Sequence, residues 1–336
     1  ALKNGKSVVT ANKLLIAKYG PELMKMAAEK GVSIYFEASV AGGIPIIRPL
    51  RESFAANKIE RIFGILNGTT NYILTRMTKE GQELDIALKE AQRLGYAESD
   101  PSSDISGADA AYKIAILSSI AYETVIDIED VHIEGIENIE IEDIEIAREL
   151  GYVIKLLAIS KFTSKGVDIR VHPAFIPVNH PLASVHDAYN AIYLHGDSVG
   201  DVMLYGQGAG RFPTASAVVA DIIQAGKEIY HGSPDINGNI YKNNHGIMDI
   251  SQVENSFYLR LQVKDKPGVL AKIAEVLGRN QVSLASVIQK HRQNPVVPIV
   301  LVTHQVKEEY LQKSIAEFKN IEEIVAVKNI IRVEEL

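Results

Sequence analysis

The sequence predicts three structural parts: the end of a doubly wound parallel sheet, an α+β domain with a mostly antiparallel sheet, and a C-terminal β-α-β-β-α-β unit of the ferredoxin-like kind. Three observations predict them. Residues 1–43 follow a strand–helix–strand rhythm, residues 44–212 alternate several helices with long alternating strands, and residues 256–336 give the six-element order of the last unit.

The composition indicates a globular protein without cysteine-based chemistry. The chain has 336 residues, a net charge of −7 and 46% hydrophobic residues, which is enough for two or three domains. An acidic surface favours neither nucleic acid nor an anionic membrane as a partner. The chain contains no cysteine, which excludes disulfides and thiolate metal ligands. No apolar run approaches the roughly 20 residues of a membrane span, so we expect a cytoplasmic protein.

The first 43 residues are typical of the later strands and helices of a parallel sheet. Gly5 predicts a helix end, the strand 7–10 follows, and a helix over 14–30 stops at Gly31 before a buried strand over 32–37. The G-x-G-x-x-G turn expected in the first half of such a sheet has no counterpart. We therefore expect the chain to begin in mid-fold and to bind a dinucleotide weakly or not at all by itself.

The middle of the chain predicts a separate domain over 44–212. Its expected helices are 45–57, 70–79, 83–94, 105–121 and 142–151, and its clearest strands are 59–66, 152–161 and 166–176. A helix over 213–227, within the segment 213–230, is expected to return to the nucleotide-binding part. Residues 231–255, rich in Asn, Gly, His and Ser, predict a linker.

The C-terminal residues predict a compact regulatory unit. Its expected elements are strand 256–263, helix 268–279, strands 282–290 and 298–306, helix 308–318 and strand 323–332.

Residues 91–113 carry the most informative polar pattern. Asp109 and Lys113 stand four residues apart, so they share one helix face, and Glu98 and Asp104 can converge on them where two helices meet. Carboxylates hold an ammonium group and a lysine can exchange a proton with a hydroxyl, so the cluster suits an amino-acid-like alcohol. The alternative is helix capping with an ordinary i,i+4 ion pair on an exposed surface.

Several segments resemble one enzyme family. Residues 91–113 resemble the homoserine dehydrogenase signature, with Gly95, Pro101, Asp104, Asp109 and Lys113 at its fixed positions. Further blocks of that family are matched in the same order by residues 8–13, 36–45, 64–72, 190–192 and 206–215. The resemblance covers residues 1–230 and lacks only the first half of the Rossmann sheet.

The resemblance implies NAD(P)-dependent interconversion of L-homoserine and L-aspartate 4-semialdehyde. Lys113 would move the proton, and Lys13 would lie between the nicotinamide and the substrate. The implied substrate-binding residues are Glu98, Asp109, Asp104, Tyr96 and Thr69, and the implied contacts of NADP or NAD are Lys13, Asn12 and Gly208. Without the family resemblance, the alternative for Lys13 is a solvated residue at the start of a helix. The alternative for the G-x-G-A-G run around Gly208 is a flexible turn.

The turn after the strand 32–37 resembles a monovalent-cation site of the family. Oxygen atoms of Glu37, Val40, Gly42 and Ile44 would suit a hard ion such as Na⁺. The alternative is a glycine-rich hinge between domains.

The run Asp265–Leu270 resembles the opening of an ACT domain, a unit that commonly binds amino acids at a dimer interface. The resemblance implies a homodimer or homotetramer, with L-threonine as a feedback inhibitor or with a purely oligomerising role. Two readings from other classes stay open: a regulatory amino-acid binder that has lost catalysis, and a dimerisation scaffold completed by a second chain.

Overall fold

The structure, a computed structural model, describes residues 1–232, 241, 243–289 and 295–336. Its helices are α1 (Lys13–Lys30), α2 (Gly68–Glu80), α3 (Leu84–Leu94), α4 (Ser102–Ile105), α5 (Ala108–Ala121), α6 (Ile141–Glu149), α7 (Arg211–His231), α8 (Val269–Arg279) and α9 (Glu308–Phe318). Its strands are β1 (Val8–Val9), β2 (Ile34–Tyr35), β3 (Ile59–Ile65), β4 (His132–Ile133), β5 (Tyr152–Thr163), β6 (Gly166–Pro177), β7 (Tyr189–Gly196), β8 (Gly200–Gln207), β9 (Glu254–Lys264), β10 (Leu284–Gln289), β11 (Val296–Thr303), β12 (Val306–Lys307) and β13 (Ile324–Val333).

These elements form two compact units. The first contains Ala1–Glu137, Leu156–His172 and Ser184–Ile247, and the second contains Asn138–Lys155, Pro173–Ala183 and Met248–Leu336. Strands β5 and β6 contribute residues to both units. Residues 138–155 and 173–183, which the sequence places in the catalytic domain, therefore cluster with the C-terminal part of the chain.

The first unit opens with the predicted parallel β-α-β element. Strand β1 pairs with β2 in parallel register, with Val8 opposite Ile34, and α1 connects them. The helix begins at Asn12, whose side chain accepts a hydrogen bond from the Leu15 amide, and ends at Gly31 in the left-handed region. Strand β2 covers Ile34–Tyr35 only, because the chain turns into a 3₁₀ helix at Glu37.

The rest of the first unit is built on an antiparallel sheet. Strand β3 lies at its centre between β5 and β7, and β8 pairs with the outer side of β7. Helix α5 packs on β3, and α2 packs on β7. Ile62 and Phe63 of β3 and Leu117 of α5 are fully buried. The α+β prediction is confirmed.

Two predicted helices differ from the observed elements. The helix expected over 45–57 is shorter, since Ile47 and Arg48 are α-helical and Pro49–Ser53 form a single π-type turn. The helix expected over 105–121 is interrupted by Gly107, whose φ of 86° lies in the left-handed region. The chain therefore turns there, and α5 starts anew at Ala108.

The second unit has the predicted ferredoxin-like order. Its sheet runs β10-β11-β9-β13, and α8 and α9 cover one face of it. On that face the buried side chains form one apolar core, which includes Phe257, Leu259, Ile273, Leu311 and Phe318. Residue 290, at the end of one predicted strand, lies outside the described residues.

The predicted linker divides into two parts. Residues 233–240 and 242 lie outside the described residues. Tyr241 and residues 243–247 belong to the first unit, where the Asn243 amide donates to the Glu123 carbonyl at 2.9 Å.

Among the helices described, none is both long and apolar enough to cross a bilayer.

Candidate active site

Three helix N-termini meet beside the end of strand β3. Asn67 follows β3 and caps α2, since its Oδ1 accepts from the Thr70 amide at 2.8 Å. Asp109 lies in the first turn of α5, where the helix dipole favours a negative charge. Lys13 is the first residue of α1. The fold therefore brings together side chains that are far apart in the sequence.

The Asp109 carboxylate is the centre of this polar cluster. Its Oδ2 accepts from Lys113 Nζ at 2.6 Å and from Asn67 Nδ2 at 2.9 Å, and its Oδ1 lies 3.1 Å from Lys13 Nζ. Burial by itself would raise the pKa of Asp109. The charge and hydrogen bond of Lys113, the Asn67 amide and the charge of Lys13 outweigh burial and lower this pKa to about 2. Asp109 is therefore a permanent anion between two cations.

The Lys113 ammonium is held in a fixed position. Besides Asp109, it donates to the Leu66 carbonyl at 2.7 Å, and its side chain is only 12% exposed. An ammonium group has three hydrogens, so two of them fix Lys113 and the third can be directed at a ligand oxygen. This arrangement suits a proton donor.

Asp104 forms the second acidic position. Its Oδ1 accepts from Asn67 Nδ2 at 2.7 Å, so the Asn67 amide bridges Asp104 and Asp109. Burial and the neighbouring charge of Asp109 raise the pKa of Asp104, and the hydrogen bond from Asn67 reduces that effect. The two carboxylates of the cluster thus have pKa values shifted in opposite directions.

Other residues predicted for the site occupy its edge. The Thr69 hydroxyl donates to the Tyr96 carbonyl at 2.5 Å, and the Tyr96 ring packs against Tyr72 with centroids 4.9 Å apart. Glu98 is exposed, and its backbone carbonyl accepts from the Gln92 side chain at 3.1 Å. The structure therefore brings Asp104, Asp109 and Lys113 together, as expected. Glu98 lies outside this hydrogen-bonded cluster, on the turn after α3 whose backbone carbonyls accept hydrogen bonds from the Gln92 side chain.

Asn67 and the Leu66 carbonyl were not predicted for the site. Asn67 lies in the family block 64–72, from which only Thr69 was predicted for the site. Its double contact depends on residues 37 and 42 positions further along the chain, so sequence spacing gives no sign of it. A backbone carbonyl such as that of Leu66 carries no sequence signal at all.

The residues predicted to contact the cofactor lie near this cluster or in a tight turn. Asn12 uses its side-chain oxygen to cap α1, and the Lys13 side chain is 35% exposed. A Cβ added to Gly208 would fall 2.0 Å from the Asn190 carboxamide, and a Cβ on Gly42 would fall 2.4 Å from the Gly208 carbonyl oxygen. A side chain at Gly208 would therefore collide with Asn190, so the packing of this turn requires glycine.

The Glu37 carboxylate is engaged with the backbone rather than aimed at an ion. It accepts from the amides of Ile46, Ile47 and Arg48 at 2.5, 2.7 and 2.9 Å. The Glu37 amide in turn donates to Asp221 of α7 at 2.9 Å. A cation at the predicted site would therefore be bound by the Glu37 carbonyl oxygen and not by its carboxylate.

A parallel β-α-β element whose helix begins at a lysine–carboxylate–lysine cluster suits a nicotinamide-dependent dehydrogenase. Comparison with known proteins supports this class. Residues 45–223 match the family described as homoserine dehydrogenase, residues 1–37 match its NAD-binding domain, and residues 257–323 match the ACT domain.

Individual relatives agree with these matches. The homoserine dehydrogenase of Neisseria gonorrhoeae is 43% identical, over 100% of this chain and 79% of its own length. That of Corynebacterium glutamicum is 44% identical, over 99% of this chain and 76% of its own length. The crystal structure of a homoserine dehydrogenase from Thiobacillus denitrificans has a TM-score of 0.94 at 44% identity, over 99% of this chain and 77% of that one. The chain belongs to the homoserine dehydrogenase family, and it is an oxidoreductase with an ACT domain.

Proposed function

We propose that Lys113 is the acid/base group in the interconversion of L-homoserine and L-aspartate 4-semialdehyde. The observation that carries this proposal is the fixed, nearly buried ammonium with one hydrogen left to donate. In the direction of reduction, Lys113 gives a proton to the aldehyde oxygen as the carbonyl becomes an alcohol, and in the reverse direction it takes that proton back. The nicotinamide cofactor, when bound, would supply the hydride to C4 of the semialdehyde, or accept it from C4 of homoserine in the reverse direction.

Lys13 and Asp109 set the charge around the reacting oxygen. Lys13 lies 3.1 Å from Asp109 on the side of the carboxylate opposite Lys113, so one anion holds two cations. Those cations stabilise the negative charge that develops on the substrate oxygen. Asp109 offsets one of their two positive charges before the substrate enters.

The acidic edge of the site is proposed to bind the substrate ammonium. Asp104 is partly buried and bridged to Asp109, and it contributes a carboxylate beside the Thr69–Tyr96 contact. Glu98, exposed on the following turn, adds a second carboxylate when the substrate is present. The cofactor is proposed to contact Lys13, Asn12 and the Gly208 turn, as the resemblance of these residues to the family's blocks implies. One solved relative is described as a hyperthermophilic archaeal homoserine dehydrogenase in complex with NADPH.

Replacement of Lys113 tests the assignment. Lys113→Ala in the intact enzyme is expected to lower kcat by about 10²–10⁴-fold and to change the KM for the semialdehyde little. Lys79→Ala is the matched control, because Lys79 is an exposed lysine in the last turn of α2. Activity that survives Lys113→Ala nearly intact would overturn the assignment.

We propose that the carbonyls of Glu37, Val40, Gly42 and Ile44 hold a monovalent cation. The Glu37 carboxylate fixes the turn from the other side by accepting from three amides, which organises the carbonyls without supplying a ligand. NaCl is expected to raise the Tm more than tetramethylammonium chloride of equal ionic strength. Equal Tm values in the two salts would favour the alternative, a glycine-rich hinge.

We propose that the ACT domain binds L-threonine and that the enzyme is a homodimer or homotetramer. Gly268 has a φ of 86° and precedes α8, so the backbone there is open to a carboxylate at a helix N-terminus. Calorimetric titration of the intact enzyme with L-threonine, beside D-threonine as control, tests binding. Light scattering gives the mass of the assembly. No heat and no inhibition with L-threonine would leave only an oligomerising role.

A further inference from the structure

Tyr241 occupies a position between two helices that carry proposed reactive groups. Residues of α1 and α5 line a small cavity, and Tyr241 forms part of its wall. Its other walls are Ile16, Ala17, Pro21, Ala115, Ile116, Ser119, Val125 and Ile126. Burial raises the pKa of the Tyr241 phenol, in agreement with a ring withdrawn from water among apolar neighbours.

Gly20 of α1 is matched to this tyrosine. A Cβ added to Gly20 would lie 2.5 Å from the Tyr241 hydroxyl oxygen, closer than real contacts allow. Glycine is unfavourable within a helix, because it costs more backbone entropy than alanine. Its presence in the middle of α1 is explained by the space that the phenol requires.

The chain after Tyr241 is fastened to the loop that follows α5. The Asn243 amide donates to the Glu123 carbonyl at 2.9 Å, and the His245 amide donates to the Thr124 hydroxyl at 3.1 Å. The His245 ring meets Phe162 edge-on, with centroids 4.8 Å apart. These contacts fix the approach of Tyr241 to the two helices.

The two helices that border this cavity also pack on each other and are joined at their N-termini by the active-site ion pair. Lys13 begins α1, Asp109 lies in the first turn of α5, and their charged atoms are 3.1 Å apart. Gly20 lies seven residues after Lys13, which corresponds to about 10 Å along the helix axis. We therefore expect a shift of α1 at Gly20 to reach the Lys13–Asp109 contact, which lies about two helical turns away.

We propose that Tyr241 is a positioning residue for the reaction: its phenol sets the spacing of α1 and α5 and thereby holds Lys13 against Asp109. The proposal rests on the roles proposed for Lys13 and Asp109. It assigns a function to a residue of the segment that the sequence presents as a linker.

A double-mutant cycle in the intact enzyme tests the contact. Gly20→Ala alone is expected to lower the Tm by a few degrees, because the new methyl group displaces the phenol. In the Tyr241→Phe background the same change is expected to raise the Tm, since the ring carbon Cζ lies 3.7 Å from the new Cβ and leaves room for it. Gly226→Ala in α7 is the control, because a Cβ there meets nothing within 4 Å. Additive changes in Tm would refute the contact.

Kinetics then separate positioning from stability. Gly20→Ala and Tyr241→Ala are expected to lower the kcat of the folded enzyme about tenfold or more, and Gly20→Ala/Tyr241→Phe is expected to recover it. A reduced Tm with unchanged kcat would overturn the positioning role. If Lys113→Ala instead retained activity, the proposed function would fail while the cycle in Tm would stand, so the two failures are distinguishable.

Discussion

The Lys113 ammonium lies 2.6 Å from the Asp109 carboxylate, one turn earlier on α5, and that carboxylate also binds Lys13 from α1. This sharing gives Asp109 a different role from an ordinary helix ion pair, whose partners face water and contribute about 0.3–0.5 kcal/mol. A carboxylate with a pKa of about 2 stays ionised wherever the enzyme can work. It therefore orients both lysines without exchanging protons with the substrate.

The acidic limb of the activity profile is expected to come from Asp104. Burial raises the pKa of Asp104, so as the pH falls this carboxylate becomes protonated at a higher pH than an ordinary aspartate would. If the ionised form binds the substrate ammonium, kcat/KM for the amino-acid substrate falls through that pKa.

Asp104→Asn should lower kcat/KM at neutral pH and flatten the acidic limb. Steady-state rates from pH 4 to 8 measure both effects. Asp85→Asn, at an exposed first-turn position of α3, is the matched control and should keep the limb. An unchanged limb in Asp104→Asn would assign it to another group.

The Asn67 amide is expected to matter for activity beyond its role as a helix cap. Asn67→Ser retains an oxygen that can accept from the Thr70 amide, but it removes the Nδ2 donor that bridges Asp104 and Asp109. We expect a small loss of stability and a fall in kcat/KM of about tenfold or more, because the buried Asp109 and the partly buried Asp104 lose a shared donor.

Asn67→Ala removes the cap as well and should cost about 1 kcal/mol more in the free energy of unfolding than Asn67→Ser. Urea denaturation and initial rates on both variants separate the two contributions. Wild-type kcat/KM in Asn67→Ser would show that the bridge is dispensable.

The difference between Lys113 and Asn67 shows what the sequence could predict. Asp109 and Lys113 share a helix face because four residues are one turn, so their contact follows from local geometry. The parallel β-α-β element and the ferredoxin-like unit follow in the same way from the order of short periodic segments. The exposed position of Glu98 depends on the hydrogen bond from the Gln92 side chain to the turn after α3. The helix break at Gly107 depends on one backbone angle, and the helical pattern of the sequence is continuous across that glycine.

The turn at Gly208 is expected to tolerate no side chain. Gly208→Ala places a methyl group 2.0 Å from the buried Asn190 carboxamide, so either the turn or strand β7 must move. We expect a loss of about 1–3 kcal/mol in the free energy of unfolding and a raised KM for the cofactor. Gly226→Ala, in open space on α7, should stabilise by up to about 1 kcal/mol. An unaffected cofactor KM in Gly208→Ala would remove the turn from the proposed cofactor site.

In the second unit, the contact of Arg260 with Asp143 is expected to dominate stability, because both side chains are fully buried. Their closest atoms are 2.7 Å apart, and Tyr258 and Asn329 also donate to the Asp143 carboxylate. Arg260→Met leaves a buried anion without its cation and should cost about 3–5 kcal/mol in urea denaturation.

Two further variants identify the cause of that loss. Arg260→Met/Asp143→Asn should recover much of the stability, because the neutral amide no longer requires a cation. Lys264→Met breaks an exposed pair with Glu322 and should cost about 0–1 kcal/mol. A loss in Arg260→Met no larger than that in Lys264→Met would show that the buried ion pair contributes no more than a surface pair. The stability of the unit would then be attributed to the apolar core under α8 and α9.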